Sequence, residues 1–236
     1  MFLLALDTCD ARGSIALLRD GQVVAVERHP ADTEYSSWLL PATDTLLSDV
    51  KLSHADLEGY AVSAGPGSFT GIRVGLTTVK AWADVYGKPI FPVSRLAVLA
   101  EHAPRDFRFV GTFIDAQRNQ LFGALYRRDA GTLTMVDEER VIGPAEFLRW
   151  ADDVSDGGPI SWVSLDPQAL AETPMWQSRA GRGESIQQVH PPLAGLIGSY
   201  SLALPAAQRS VDALTLDANY VRRTDAEIFG KKAAGQ

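Results

Sequence analysis

Gly65-Pro66-Gly67-Ser68-Phe69-Thr70-Gly71-Ile72-Arg73-Val74-Gly75 is the most informative stretch of the chain. It follows a short apolar segment, Gly59 to Ala64, that reads as a strand, and it leads into a helical pattern from about Thr70 to Tyr86. Glycines here let the backbone take positive φ and let other groups come close to it. The start of a helix also exposes free N–H groups and the positive end of a dipole. Two readings stand side by side: a phosphate cradle, or a tight turn that lets the helix pack closely. A Walker A loop is excluded, because Ile72 and not lysine follows Gly71.

On a helical wheel, Ile72, Leu76, Val79 and Ala83 make one narrow core-facing stripe. Gly71, Val74, Gly75, Thr78, Ala81, Trp82 and Val85 make a second apolar stripe, and Arg73, Thr77, Lys80 and Asp84 are left as a polar strip. A helix on a sheet needs one apolar face, so the second is expected to meet another helix or another protein. Small residues at Gly71, Gly75 and Thr78 suit a close crossing; Gly75→Leu is expected to block it and leave the free fold intact. Ser36 to Val50 reads as another helix, with Leu39, Leu40, Thr43, Leu46, Leu47 and Val50 toward the core and Trp38, Ala42 and Thr45 off that stripe. Pro41 calls for a kink or a late start. The alternative is that the two helices bury these faces against each other and the second domain.

Upstream, Phe2 to Thr8 suits a strand buried on both faces, which puts Asp7 at its C-terminal end. Gly13 to Leu18 and Gln22 to Arg28 complete a three-stranded meander. Downstream come a strand at Ile90 to Val93 and a helix at Ser94 to His102, and then the pattern restarts. Arg108 to Ile114, Gln120 to Arg127 and Thr132 to Val136 form a second meander. A short helix at Pro144 to Ala151, a strand at Ile160 to Ser164 and a helix at about Pro192 to Leu204 follow. This weak duplication predicts two similar α/β domains, residues 1–104 and 105–236, with the C-terminal segment packing back on the first. The tail from Lys231 to Gln236 is expected to fray.

The chain has 236 residues, 46% of them apolar and 22% charged, with 20 glycines and 13 prolines, the composition of a globular chain with a sizeable core. A single cysteine excludes an intramolecular disulfide framework and a cysteine-cluster zinc site, and fits a reducing cytoplasm. Lys and Arg number 22 against 29 Asp and Glu, and the net charge of −7 opposes broad binding to a phosphate backbone. If RNA is involved, a partner holds it. The start lacks a basic region and meets Asp7 early, and no apolar run approaches a membrane span, so a soluble, intracellular protein is expected.

Asp7, followed by the small Thr8 and a turn, stands where α/β folds place ligand-contacting residues. It either holds a metal-bound water beside a phosphate or accepts backbone hydrogen bonds at the strand end. Asp115-Ala116-Gln117-Arg118 mirrors that placement in the second half. The four histidines, His29, His54, His102 and His190, are isolated and show no metal-ligand spacing. Ser68 is not in a nucleophile elbow, and Cys9, with only Arg12 as a basic neighbour, reads as packing.

L-A-L-D-T at 4–8, S-x-x-L-L-P at 36–41, G-P-G-S-F-T-G-I-R-V-G at 65–75, P-V-S at 92–94 and D-A-Q-R at 115–118 together resemble the bacterial TsaB family, also called YeaZ. The likeness runs in order over about the first 125 residues, with N-Y-V-R at 219–222 similar to the family's C-terminal segment. The resemblance implies an actin-like, sugar-kinase-like (ASKHA) fold of two duplicated domains, each a mixed sheet with a β-meander and flanking helices. It also implies a part in making N6-threonylcarbamoyladenosine at position 37 of tRNAs that read codons beginning with A. In that pathway TsaB is a catalytically silent paralogue of TsaD, dimerises with it and is joined by the ATPase TsaE, while tRNA is engaged only through the complex.

The shared dimer face implied by the family comprises Trp38, Ala42 and Thr45 on one helix and Gly71, Val74, Gly75, Thr78 and Trp82 on the other, and whether the free chain also pairs with itself through that face is left open by the sequence, an exposed stripe being compatible with it. Asp7, Thr8, Gly65, Gly67, Ser68 and Asp115 would be a vestigial nucleotide site. Active members of the fold carry Gly two residues after the first-strand Asp, where this chain has Cys9, and the metal-binding His pair of TsaD has no counterpart. Many members have His before the Ser of the first helix, where this chain has Tyr35. No catalytic residue, metal or firm cofactor is therefore assigned, with ATP or ADP at the interface of the complex left open. The competing readings are a stand-alone ATP-dependent kinase, which needs Asp7, and a glycoprotease, which lacks a metal motif or a nucleophile with its base.

Overall fold

The computed structural model describes residues 1–181, 183–205, 211 and 216. The N-Y-V-R segment at 219–222 and the tail from 231 onward lie outside the described residues. The meander β1 (Phe2–Asp7), β2 (Ser14–Arg19) and β3 (Gln22–Arg28) leads to α1 (Tyr35–Asp49), β4 (Gly59–Gly65), α2 (Phe69–Tyr86), β5 (Ile90–Ser94) and α3 (Arg95–Ala100). The second half runs β6 (Phe109–Asp115), β7 (Leu121–Asp129), β8 (Thr132–Met135), β9 (Arg140–Ile142), α4 (Pro144–Ser155) and β10 (Ile160–Ser164). It ends with α5 (Gln168–Ala171), α6 (Pro174–Ala180), β11 (Ile186–Gln188) and α7 (Ala194–Ala203).

The first sheet has the order β3-β2-β1-β4-β5 and the second β8-β7-β6-β10-β11, with β9 added beside β7. In each, the first strand pairs antiparallel with the second and parallel with the strand that follows the helix. The two halves therefore repeat one α/β arrangement, the duplication that the sequence pattern predicted. Sequence patterning missed β9, α5, α6 and β11, and ended α4 at Ala151 where the helix continues to Ser155. Segments of three to seven residues are too short to display a period.

Both faces of β1 are buried, and its side chains divide between two cores because successive residues point to opposite sides. Leu4 and Leu6 meet α1 and α2, while Leu3 and Ala5 meet a second cluster shared with β6 and β7. That shared core is filled by α3 and α7, so layers of helix, sheet, helix, sheet and helix follow one another, the last built from α4, α5 and α6. The two middle helices exchange places: α3 packs chiefly on β6 of the second sheet, and α7 crosses β1, β2 and β4 of the first. Gly198 of α7 lies so near the first sheet that a Cβ there would fall 2.5 Å from Leu18 Cδ1. Val211 bridges to Ile90 at the β5 edge, and Leu216 joins the α1–α2 core.

Helix α1 begins at Tyr35 and runs through Pro41, so of the kink or late start that Pro41 called for, the late start does not occur. The lost N–H would have served the carbonyl of Ser37, which is exposed, and the Thr45 hydroxyl donates to the Pro41 carbonyl at 2.9 Å. Leu40 and Val50, expected toward the core, are instead exposed at the margin of the helix, Leu40 by 51%.

Candidate functional site

The Gly-rich turn is packed against the end of β1. Gly65 has φ of 123°, a conformation that glycine takes without strain. A Cβ on Gly67 would fall 2.3 Å from the Cys9 carbonyl oxygen, and one on Gly71 would fall 2.0 Å from the Thr8 carbonyl oxygen. One on Gly75 would fall 2.4 Å from Thr8 Oγ1. The Ser68 amide donates to the Cys9 carbonyl at 2.6 Å, the Thr8 hydroxyl donates to the Gly71 carbonyl at 2.7 Å, and Ser68 caps α2 by accepting from the Gly71 amide. Backbone carbonyls of Thr8 and Cys9 thus occupy the space at the start of α2 where an anion would otherwise approach. Asp7, Thr8, Gly65, Gly67 and Ser68 do converge at one end of the first sheet, where they pack with Cys9, Gly71 and Arg95 of the same chain.

Asp7 and Asp115 close the first strands of their sheets in the same way. The Cys9 amide donates to Asp7 Oδ1 at 3.1 Å, and the Gln117 amide donates to Asp115 Oδ1 at 2.7 Å. Each is the two-residue side-chain turn favoured by aspartate, so the duplication extends to side chains. A cleft of about 670 Å³ opens beside Asp115, between the turn at Gln117, Arg118 and Asn119 and the starts of α4 and α6.

Asp7 is 1% exposed and faces Arg95, also 1% exposed, with Nε 3.4 Å from Asp7 Oδ2. Arg95 Nη2 lies 2.7 Å from Asp10 Oδ2, and Nη1 donates to the Pro66 carbonyl at 3.3 Å. Arg12 reaches the same Asp10 oxygen at 2.7 Å and Asp166 Oδ1 at 2.7 Å. Asp166 Oδ2 in turn accepts the amide of Asp115 at 3.2 Å. Burial pushes the Asp7 carboxyl up against the pull of Arg95, whereas at Asp10 the two guanidiniums outweigh burial and hold the carboxyl below the usual range. Cys9 is fully buried, with its thiol pushed up by burial and by Asp7, as a packing residue should be.

Arg95 was missed by sequence reasoning. The available signal was a cation at the first position of a helix, where the dipole disfavours it unless carboxylates lie opposite. Tyr35 has a polar role: its hydroxyl donates to the Asp10 carbonyl, steadying the β1–β2 turn.

Of the residues expected on a partner face, Val74, Thr78 and Trp82 are half-buried on the outer side of α2, next to exposed Ala81 and to Val85 at 73% exposure. Ala42 is half-buried and Thr45 exposed on α1. Trp38 is 7% exposed and packs edge-on to the rings of His29 and Tyr35. Gly71 and Gly75 are buried against Thr8 of the same chain, so the close crossing that these glycines allow is internal. The expectation that Gly75→Leu would leave the free fold intact is corrected accordingly: the side chain would collide with β1.

Among the described residues no group of three His, Cys, Asp or Glu side chains comes together to hold a metal ion, and no helix is long and apolar enough to cross a membrane. The TsaD family, described as tRNA N6-adenosine threonylcarbamoyltransferase, matches residues 29–169. The tRNA threonylcarbamoyladenosine biosynthesis protein TsaB of Bacillus subtilis (strain 168) is 34% identical over 149 residues, covering 63% of this chain and 65% of that protein. The chain belongs to the TsaB (YeaZ) family. TsaB of Escherichia coli (strain K12) is also 34% identical, over 152 residues, with 63% and 65% of the two chains covered. In both comparisons the chain spans about two thirds of the TsaB relative's length. YeaZ from Pseudomonas aeruginosa, at 24% identity, shares the fold over 93% of this chain and 99% of its own, with a TM-score of 0.67.

Proposed function

We propose that this protein acts in tRNA threonylcarbamoyladenosine biosynthesis as a non-catalytic partner of a TsaD protein, in the complex that transfers the threonylcarbamoyl group to adenosine 37. The observation that carries the reading is the outer stripe of α2, where Val74, Thr78, Ala81, Trp82 and Val85 leave an apolar face partly open beside Ala42 and Thr45. A soluble chain covers such a face with a partner. The ionic chain at the end of β1 supports the same reading, since Asp7, the residue a kinase mechanism would need, is buried against Arg95. The names of the curated relatives support the pathway.

In this reading the chain has no activity alone and is an essential subunit, TsaE joins the assembled pair, tRNA is met only in the complex, and the site of action is the cytoplasm. The free chain pairs with itself through the same face until TsaD displaces it. The domains divide near residues 104 and 105, with α7 returning to the first sheet. Size-exclusion chromatography with light scattering, on the chain alone and mixed with TsaD from the same organism, tests the proposal. A heterodimer that replaces any homodimer is expected; a chain that elutes unchanged beside TsaD would refute the partner role.

A further inference from the structure

The turns that follow β1 and β10 come together at the carboxyl ends of strands in different sheets, the end of a strand where α/β folds place ligand-contacting residues. Arg12, on the turn after β1, reaches Asp166, just after β10 and 154 residues away in sequence. Its Nη1 lies 2.7 Å from Asp166 Oδ1 and its Nη2 3.4 Å from Asp166 Oδ2, so both carboxylate oxygens are engaged. The same Nη2 lies 2.7 Å from Asp10 Oδ2. One guanidinium fork is thus shared between carboxylates that belong to different sheets, the geometry for which arginine is better suited than lysine.

The parts of this arrangement differ in freedom. Arg95 is 1% exposed and is held between Asp7 and Asp10, and Asp7, also 1% exposed, faces a buried cation whose loss would leave it unpaired. Asp166 is fixed from both sides: its amide donates to Ser164 Oγ at 2.8 Å and its Oδ2 accepts from the Asp115 amide. Arg12 is 40% exposed and sits on a turn, so it is the member that can leave with water taking its place.

We propose that Arg12 is a latch that ties the β1–β2 turn to the turn at Asp166, so that the ends of the two sheets open or stay protected together. Release of Arg12 frees both turns at once, and because the pair is partly exposed, salt weakens it.

Amide hydrogen exchange followed by mass spectrometry on the full chain tests the latch. Arg12→Met and Asp166→Asn each remove one side of the tie while keeping side-chain length, and Arg127→Met breaks a surface pair with Asp129 as the control. Each latch variant is expected to speed exchange about tenfold in peptides on both sides, residues 8–14 and 164–171, as loss of a charge-assisted tie should. The double variant should exchange no faster than the faster single one, and Arg12→Lys should regain part of the protection. Wild-type protection in both segments, a change confined to the substituted segment, or an additive double variant would each overturn the proposal.

Discussion

Gly71→Ala and Gly75→Ala place the same methyl group on the same helix, and the structure assigns them different outcomes. At Gly75 the added Cβ meets Thr8 Oγ1 at 2.4 Å, while the next nearest atoms, Thr8 Cβ and Cγ2, stand at 3.6 Å, ordinary contact. At Gly71 it meets the Thr8 carbonyl oxygen at 2.0 Å, part of the β1 backbone. Helix propensity favours alanine by about 1 kcal/mol at an interior position, and overpacking of this kind costs about 1–3 kcal/mol. Both single variants should therefore lose stability, Gly71→Ala by ~2 kcal/mol or more because a main-chain atom must move. Thr8→Ala removes the hydroxyl and its hydrogen bond to the Gly71 carbonyl, which costs about 1 kcal/mol by itself.

In the Thr8→Ala background the obstacle to Gly75→Ala is gone and the propensity gain should emerge, a coupling of ~1–3 kcal/mol; Gly71→Ala should show no such rescue. Urea denaturation followed by circular dichroism measures both cycles, and ~2 kcal/mol corresponds to roughly 4–8 °C in Tm for a chain of this size. Equal rescue of both glycine variants by Thr8→Ala, or a neutral Gly71→Ala, would refute the proposed crowding of α2 on β1.

Val85→Glu, at a residue 73% exposed, should change stability by less than ~0.5 kcal/mol and weaken the proposed association with TsaD by about tenfold or more, as read by light scattering and calorimetry. The Asp10 carboxyl, held low by Arg95 and Arg12, contributes stability that is present above the ordinary aspartate pKa of about 3.9 and is lost as pH falls toward its folded value. Asp10→Asn should accordingly flatten the acid limb of a Tm-against-pH curve below about pH 4. Cys9, fully buried with its thiol pushed up, should resist alkylation in the native chain and react once the chain is unfolded in guanidinium.

Much of this fold was legible from local pattern. The stripe Ile72, Leu76, Val79 and Ala83 is buried as its spacing required, and the apolar run from Phe2 became a strand covered on both faces. The repeat of meander, helix and strand gave the duplicated architecture, because burial of a sheet face or a helix stripe leaves a period in the sequence. The same reasoning misjudged Leu40 and Trp38, since a wheel gives an angle and not the identity of the neighbour on that side.

The sequence by itself determined the long strands and helices, though not the short β9, α5, α6 and β11, and that a Gly-rich turn launches a helix with more apolar surface than one sheet contact uses. Tertiary structure alone decided what those glycines are for: Thr8, 63 residues from Gly71, comes within contact of it only when β1 and β4 pair. It alone joined Asp7, Arg95, Asp10, Arg12 and Asp166 into one ionic chain across two sheets. The physical reason is that periodicity records the environment a residue needs, apolar or wet, whereas a charge pair or a close approach depends on the partner's position, which only the folded chain supplies.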